Sequence, residues 1–69
     1  MRRKTMPIIR IDISEGRTHE QKAAISRDIT ESVSKHTGLA AEKVMIFWTD
    51  LPRHNQCVGG EMRATPPAD

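Results

Sequence analysis

The sequence predicts an α+β fold: one β-α-β unit in which two parallel strands are joined by a single long helix, associating with further copies of itself. Three observations carry this expectation. Residues 8–13 alternate in the manner of a strand, an apolar row with four-residue spacing follows a helix-start signal, and the segment from Val44 is apolar on both faces. The length of 69 residues adds the need for company, because so small a domain buries too little surface to be comfortably stable alone.

In Pro7-Ile8-Ile9-Arg10-Ile11-Asp12-Ile13, Ile9, Ile11 and Ile13 share one face and Ile8, Arg10 and Asp12 the other, which is a half-buried strand. Ser14-Glu15-Gly16-Arg17 breaks the pattern. Thr18 with Gln21 three residues later has the form of a capping box, so a helix begins there. Ile25, Ile29 and Val33 recur at every fourth position beside Ala24 and His36, while Glu20, Lys22, Arg27, Asp28, Glu31 and Lys35 take the other faces. Gly38 can adopt the left-handed conformation that closes a helix of about five turns. Val44-Met45-Ile46-Phe47-Trp48-Thr49 then reads as a buried strand. One helix covers one face of the resulting parallel pair, so the other apolar face calls for a second subunit. Asp50 to Gln56 forms a polar turn containing Pro52, Val58-Gly59-Gly60 marks a tight bend, and Thr65 to Asp69 makes a terminal tail. The expected division is a basic extension over residues 1–6, a domain over 7–61 and a flexible tail over 62–69.

A core this small needs a supplement. A disulfide is excluded because Cys57 is the sole cysteine, and His19, His36 and His54 lack the paired spacing of zinc ligands. Self-association remains. No apolar run approaches the roughly 18 residues of a membrane span, and the start carries no signal-type apolar stretch, so a cytoplasmic protein is expected. Of the formal charge of +2, Arg2, Arg3 and Lys4 contribute three positives, and taking these three away leaves −1. The basic character is an N-terminal feature without interleaved aromatics, and neither nucleic acid nor a membrane is expected as a partner.

Pro-Ile at the start of a first strand, Glu15-Gly16-Arg17-Thr18 before a helix with Glu20-Gln21-Lys22, and Val58-Gly59-Gly60 near the end occur here in order. In these features the chain resembles the 4-oxalocrotonate tautomerase family, from Pro7 to about Glu61. The resemblance implies a homo-oligomer of such subunits, a hexamer built as a trimer of dimers, with a dimer or trimer as the smaller alternatives. It also implies a small carboxylate substrate, no cofactor and no metal.

The family's base is an N-terminal proline, which here would be Pro7 after removal of Met6. The chemistry depends on chain position. A terminal proline is a secondary amine with a usable lone pair, whereas an internal one is a tertiary amide. An α-amino group titrates at about 7.7 to 8.0 in model peptides, and an apolar pocket or neighbouring cations lower that value. Such a base can take a proton from an enol and return it to carbon. Residues 1–6, if retained, abolish the amine, and Pro7 then has only the role of a strand-starting proline.

Arg17, carried over from the family, would clamp a substrate carboxylate in bidentate fashion; without that role it is a solvated loop arginine. Two positions depart from the family's best-studied members, which carry a second arginine where this chain has Met45 and an aromatic where it has Gln56. Candidate replacements are Arg53 and His54, with Asn55 in the same loop and Arg10 beyond it. Cys57 lacks an evident base and reads as a small buried packing residue, and Trp48 as core or interface. The function expected is a tautomerase shifting a proton in a small unsaturated 2-keto or 2-hydroxy acid, with Pro7 as base and Arg17, Arg53 and His54 binding substrate. The alternatives are a non-catalytic oligomeric homologue with residues 1–6 retained, and a related hydratase or decarboxylase.

Overall fold

A computed structural model describes residues 6–66. The basic stretch Arg2, Arg3 and Lys4 and the chain end at 67–69 lie outside the described residues. The first strand, β1 (Ile8–Ser14), pairs in parallel with β2 (Met45–Leu51) from Ile8 opposite Met45 to Ser14 opposite Leu51. The helix α1 (His19–Thr37) makes the connection.

Local chemistry sets both ends of α1. Thr18 Oγ1 accepts from Gln21 N at 3.0 Å while Gln21 Oε1 accepts from Thr18 N at 2.9 Å, the reciprocal capping box expected from the sequence. At the other end Gly38 takes φ 78° and donates its N–H to Ser34 O at 2.9 Å. A 3-10 turn, Ala41–Lys43, then leads into β2.

The strand register sorts side chains onto two faces. Ile9, Ile11 and Ile13 with Ile46 and Trp48 lie towards α1 and are half-buried. Two polar links tie the helix to this face: Trp48 Nε1 donates to Ser26 Oγ at 2.9 Å, and Lys22 Nζ meets Asp50 Oδ2 at 2.7 Å. The helical row expected to face the sheet is slightly rotated. Ile29 and Val33 are half-buried, but Ile25 sits on the shoulder and is exposed.

On the opposite face Ile8, Met45 and Phe47 are 53%, 37% and 44% exposed, beside Arg10, Asp12 and Thr49. Among the described residues none is fully buried. Apolar faces of this kind are ordinarily covered by another surface.

Beyond β2 the polar turn contains a 3-10 segment, Arg53–Asn55, and a short antiparallel hairpin follows, β3 (Cys57–Val58) with β4 (Glu61–Met62). Gly59 and Gly60 have φ 62° and 86°, the positive values that the two central residues of such a tight turn require. Cys57 corrects its expected packing role: it is exposed, because the hairpin stands off the main sheet with both short strands open to solvent.

Candidate functional site

Pro7 is half-buried at the beginning of the strand pair. Its carbonyl oxygen accepts from Met45 N at 3.0 Å. The ladder therefore uses the acceptor of Pro7 and asks nothing of its nitrogen, which suits a residue that has no amide hydrogen to give. Across the first registered pair, Met45 lies opposite Ile8, the residue that follows Pro7.

Arg17 occupies the other end of the unit. Gly16, at φ 113°, turns the chain out of β1 and leaves Arg17 exposed just ahead of the helix cap. Glu15 ties this turn to the end of β2 in two ways: its N–H donates to Leu51 O at 2.9 Å, and its Oε2 accepts from Arg53 N at 3.3 Å. Arg17, Arg53 and the half-buried His54 are thus gathered in the loops at one end of the sheet. Among the described residues the single ion pair is that of Lys22 with Asp50, so neither guanidinium is neutralised by a carboxylate.

The seven residues of β1 separate this cationic end from Pro7, about 23 Å at 3.3 Å per residue. No arginine side chain bridges that span. The residues expected to share one site therefore stand at two ends of one chain, Pro7 at one and the cations Arg17 and Arg53 with His54 at the other. Arg10 lies between them, with its guanidinium 5.6 Å from the centroid of the Phe47 ring.

Gln56 has a part that sequence reasoning missed. Its Nε2 donates to Ser14 Oγ at 2.8 Å and to Leu51 O at 2.9 Å, and its backbone oxygen accepts from Arg63 N at 2.8 Å. One amide side chain joins the ends of the two long strands, which an aromatic ring at this position has no groups to do. The sequence marks Gln56 only as a departure from an aromatic, with no sign of the distant groups its amide meets.

A cleft of about 540 Å³ runs along one flank of α1, lined by Ser26, Arg27, Thr30, Glu31 and Ser34. It is an open groove beside the helix, and none of the expected site residues borders it. No helix among the described residues is long and apolar enough to cross a membrane.

Residues 7–65 match the family described as tautomerase enzyme. A probable tautomerase of Lactococcus lactis is 45% identical over 58 residues, which is 84% of this chain and 95% of that protein. Among solved structures, a 4-oxalocrotonate tautomerase isozyme from Methylibium petroleiphilum is similar with a TM-score of 0.77 and 33% identity, covering 83% of this chain and 89% of the other. A heterohexamer 4-oxalocrotonate tautomerase from Chloroflexus aurantiacus gives a TM-score of 0.77 at 28% identity, covering 84% and 94%.

Proposed function

The chain belongs to the tautomerase family, among the short β-α-β members similar to 4-oxalocrotonate tautomerase, and from that premise we propose that it moves a proton within small unsaturated 2-keto or 2-hydroxy acids, with Pro7 as the base. It is an enzyme of the isomerase type. The observation that carries the reading of Pro7 is its place in the ladder: the carbonyl is engaged by Met45 and the nitrogen is spare. Removal of Met6 makes that nitrogen a secondary amine, and apolar surroundings disfavour the ammonium form of such a group.

The reaction balances without a cofactor. The amine lone pair takes the hydroxyl proton of a 2-hydroxy dienoate, the oxygen electrons form the carbonyl, and the double bonds shift along the chain. The remote carbon then takes the proton back from the prolinium, restoring the amine. A guanidinium holds the substrate carboxylate and fixes which carbon faces the nitrogen.

That guanidinium belongs to another copy in this reading, because Arg17 and Arg53 stand a strand's length from their own Pro7. Assembly then joins the amine end of one subunit to the cation end of another and covers the apolar face of Ile8, Met45 and Phe47 in the same step. A hexamer in the cytoplasm satisfies both demands, with His54 as a further polar contact to substrate.

The test is a comparison of three proteins: the chain with Pro7 at its start, confirmed by mass spectrometry, the same chain with Pro7→Ala, and the chain with residues 1–6 retained. Ketonisation of 2-hydroxymuconate is followed by absorbance, beside halogenated acrylates and malonate semialdehyde to detect hydration or decarboxylation. Loss of a general base lowers the rate roughly 100- to 10,000-fold, expected in both the second and third proteins. Equal turnover with residues 1–6 attached would rule out Pro7 as the base.

A further inference from the structure

The two loops that carry the cations leave the sheet side by side, because Ser14 at the end of β1 lies opposite Leu51 at the end of β2. Arg17 follows the first strand and Arg53 the second, and both are exposed. Polar atoms of four residues tie these loops together, with Leu51 O as the hub. It accepts from Glu15 N at 2.9 Å and from Gln56 Nε2 at 2.9 Å. The first bond fixes the turn that precedes Arg17. The second closes the loop from 51 to 56, within which Asn55 N donates to Pro52 O at 2.9 Å and Gln56 N to Arg53 O at 3.1 Å.

The Gln56 amide also crosses to β1. Its Nε2 donates to Ser14 Oγ at 2.8 Å, and Ser14 Oγ donates to Gln56 Oε1 at 3.1 Å. Both amide hydrogens are thereby spent within the chain, and Leu51 O, which can only accept, fixes which amide atom faces it. These bonds are part-buried, whereas the other side-chain link between the loops, from Arg53 N to Glu15 Oε2, is exposed and 3.3 Å long. The amide is the firmer tie. Arg17 is held from its other side by the capping box at Thr18, so its backbone runs between two fixed points. Such fixing matters to a guanidinium that grips a carboxylate in bidentate fashion, because a misplacement of about 1 Å can cost on the order of 100-fold in rate.

We propose that Gln56 is a positioning residue: without touching substrate, its amide sets the Arg53 loop against the Arg17 turn and so gives the carboxylate-binding end its geometry, a role that rests on the reading of Arg17 and Arg53 as substrate-binding cations.

The experiment measures kcat/KM for ketonisation of 2-hydroxymuconate, using protein whose free Pro7 amine is confirmed by mass spectrometry. Gln56→Met keeps the length of the side chain and removes the amide; it is expected to lower kcat/KM about tenfold, chiefly through a larger KM. In a chain already carrying Arg17→Ala and Arg53→Ala, the same substitution is expected to lower it less than about twofold, because no guanidinium is left to place. A merely structural role would cost the same factor in both backgrounds. Ser14→Ala should act in the same direction by at least about threefold, and Ser14→Thr, which keeps the hydroxyl, should hold the parent value. Should Gln56→Met not fold, as read by circular dichroism, Ser14→Ala in the two backgrounds decides. Equal losses in both backgrounds, or a parent-like kcat/KM in Gln56→Met, overturns the role of Gln56 and leaves the cations standing. A parent-like kcat/KM in the chain lacking both guanidiniums overturns the carboxylate clamp, and the role of Gln56 with it; absence of turnover in the parent overturns the proposed function as a whole.

Discussion

Replacing Phe47 with alanine should weaken self-association while leaving the single β-α-β unit able to form. The ring is 44% exposed on the sheet face away from α1. A phenylalanine presents on the order of 200 Å², so about 90 Å² awaits cover; at ~25 cal/mol per Å² its burial is worth about 2 kcal/mol per copy. If equivalent faces meet, both copies contribute, and about 4 kcal/mol corresponds to roughly a thousandfold change in the dissociation constant. The contact of Arg10 with the ring adds little to this difference, because an exposed cation–π contact of about 0.5–1 kcal/mol exists before association as well. Sedimentation velocity across nanomolar to micromolar concentrations gives the measurement. A parent protein that is monomeric and folded at micromolar concentration, or a Phe47→Ala variant with the parent's dissociation constant, would refute the reasoning.

Three further outcomes follow from the polar contacts. Gln56→Ala removes the side-chain bonds to Ser14 and Leu51 that join both strand ends, and should cost about 1–3 kcal/mol, read as a lowered midpoint in urea titration. Thr18→Ala breaks the capping box and should cost about 1 kcal/mol, with reduced helicity in circular dichroism, whereas Thr18→Ser should retain most of it. Asp50→Asn severs the pair with Lys22, but the carboxylate side is 47% exposed, so a loss below about 1 kcal/mol that shrinks further in high salt is expected in thermal melts.

The elements legible from the residues were those with a local signal. The alternation Ile9-Ile11-Ile13 announced β1, Thr18 with Gln21 announced the start of α1, and Gly38 its end, and each appears where its chemistry places it. The hairpin was legible only as the bend at Gly59-Gly60, since strands of two residues are too short to show any period. Cys57 was misjudged for a related reason: cysteine is commonly buried, but burial depends on what lies above a residue, and nothing in the subunit covers β3. The bonds of Gln56 span 42 positions to Ser14, beyond any pattern read in a window of sequence.

The sequence by itself determined the β-α-β order, the helix boundaries, the family and the candidate proline, because periodicity, caps and motif order act over a few residues. Only the tertiary structure decided that Pro7 and Arg17 stand at opposite ends of a parallel pair. A parallel connection returns the chain to the same end of the sheet, so the start of β2 lies beside Pro7 while the loops after both strands gather at the far end. In the proposed reading, joining Pro7 to a guanidinium across that length falls to a second chain.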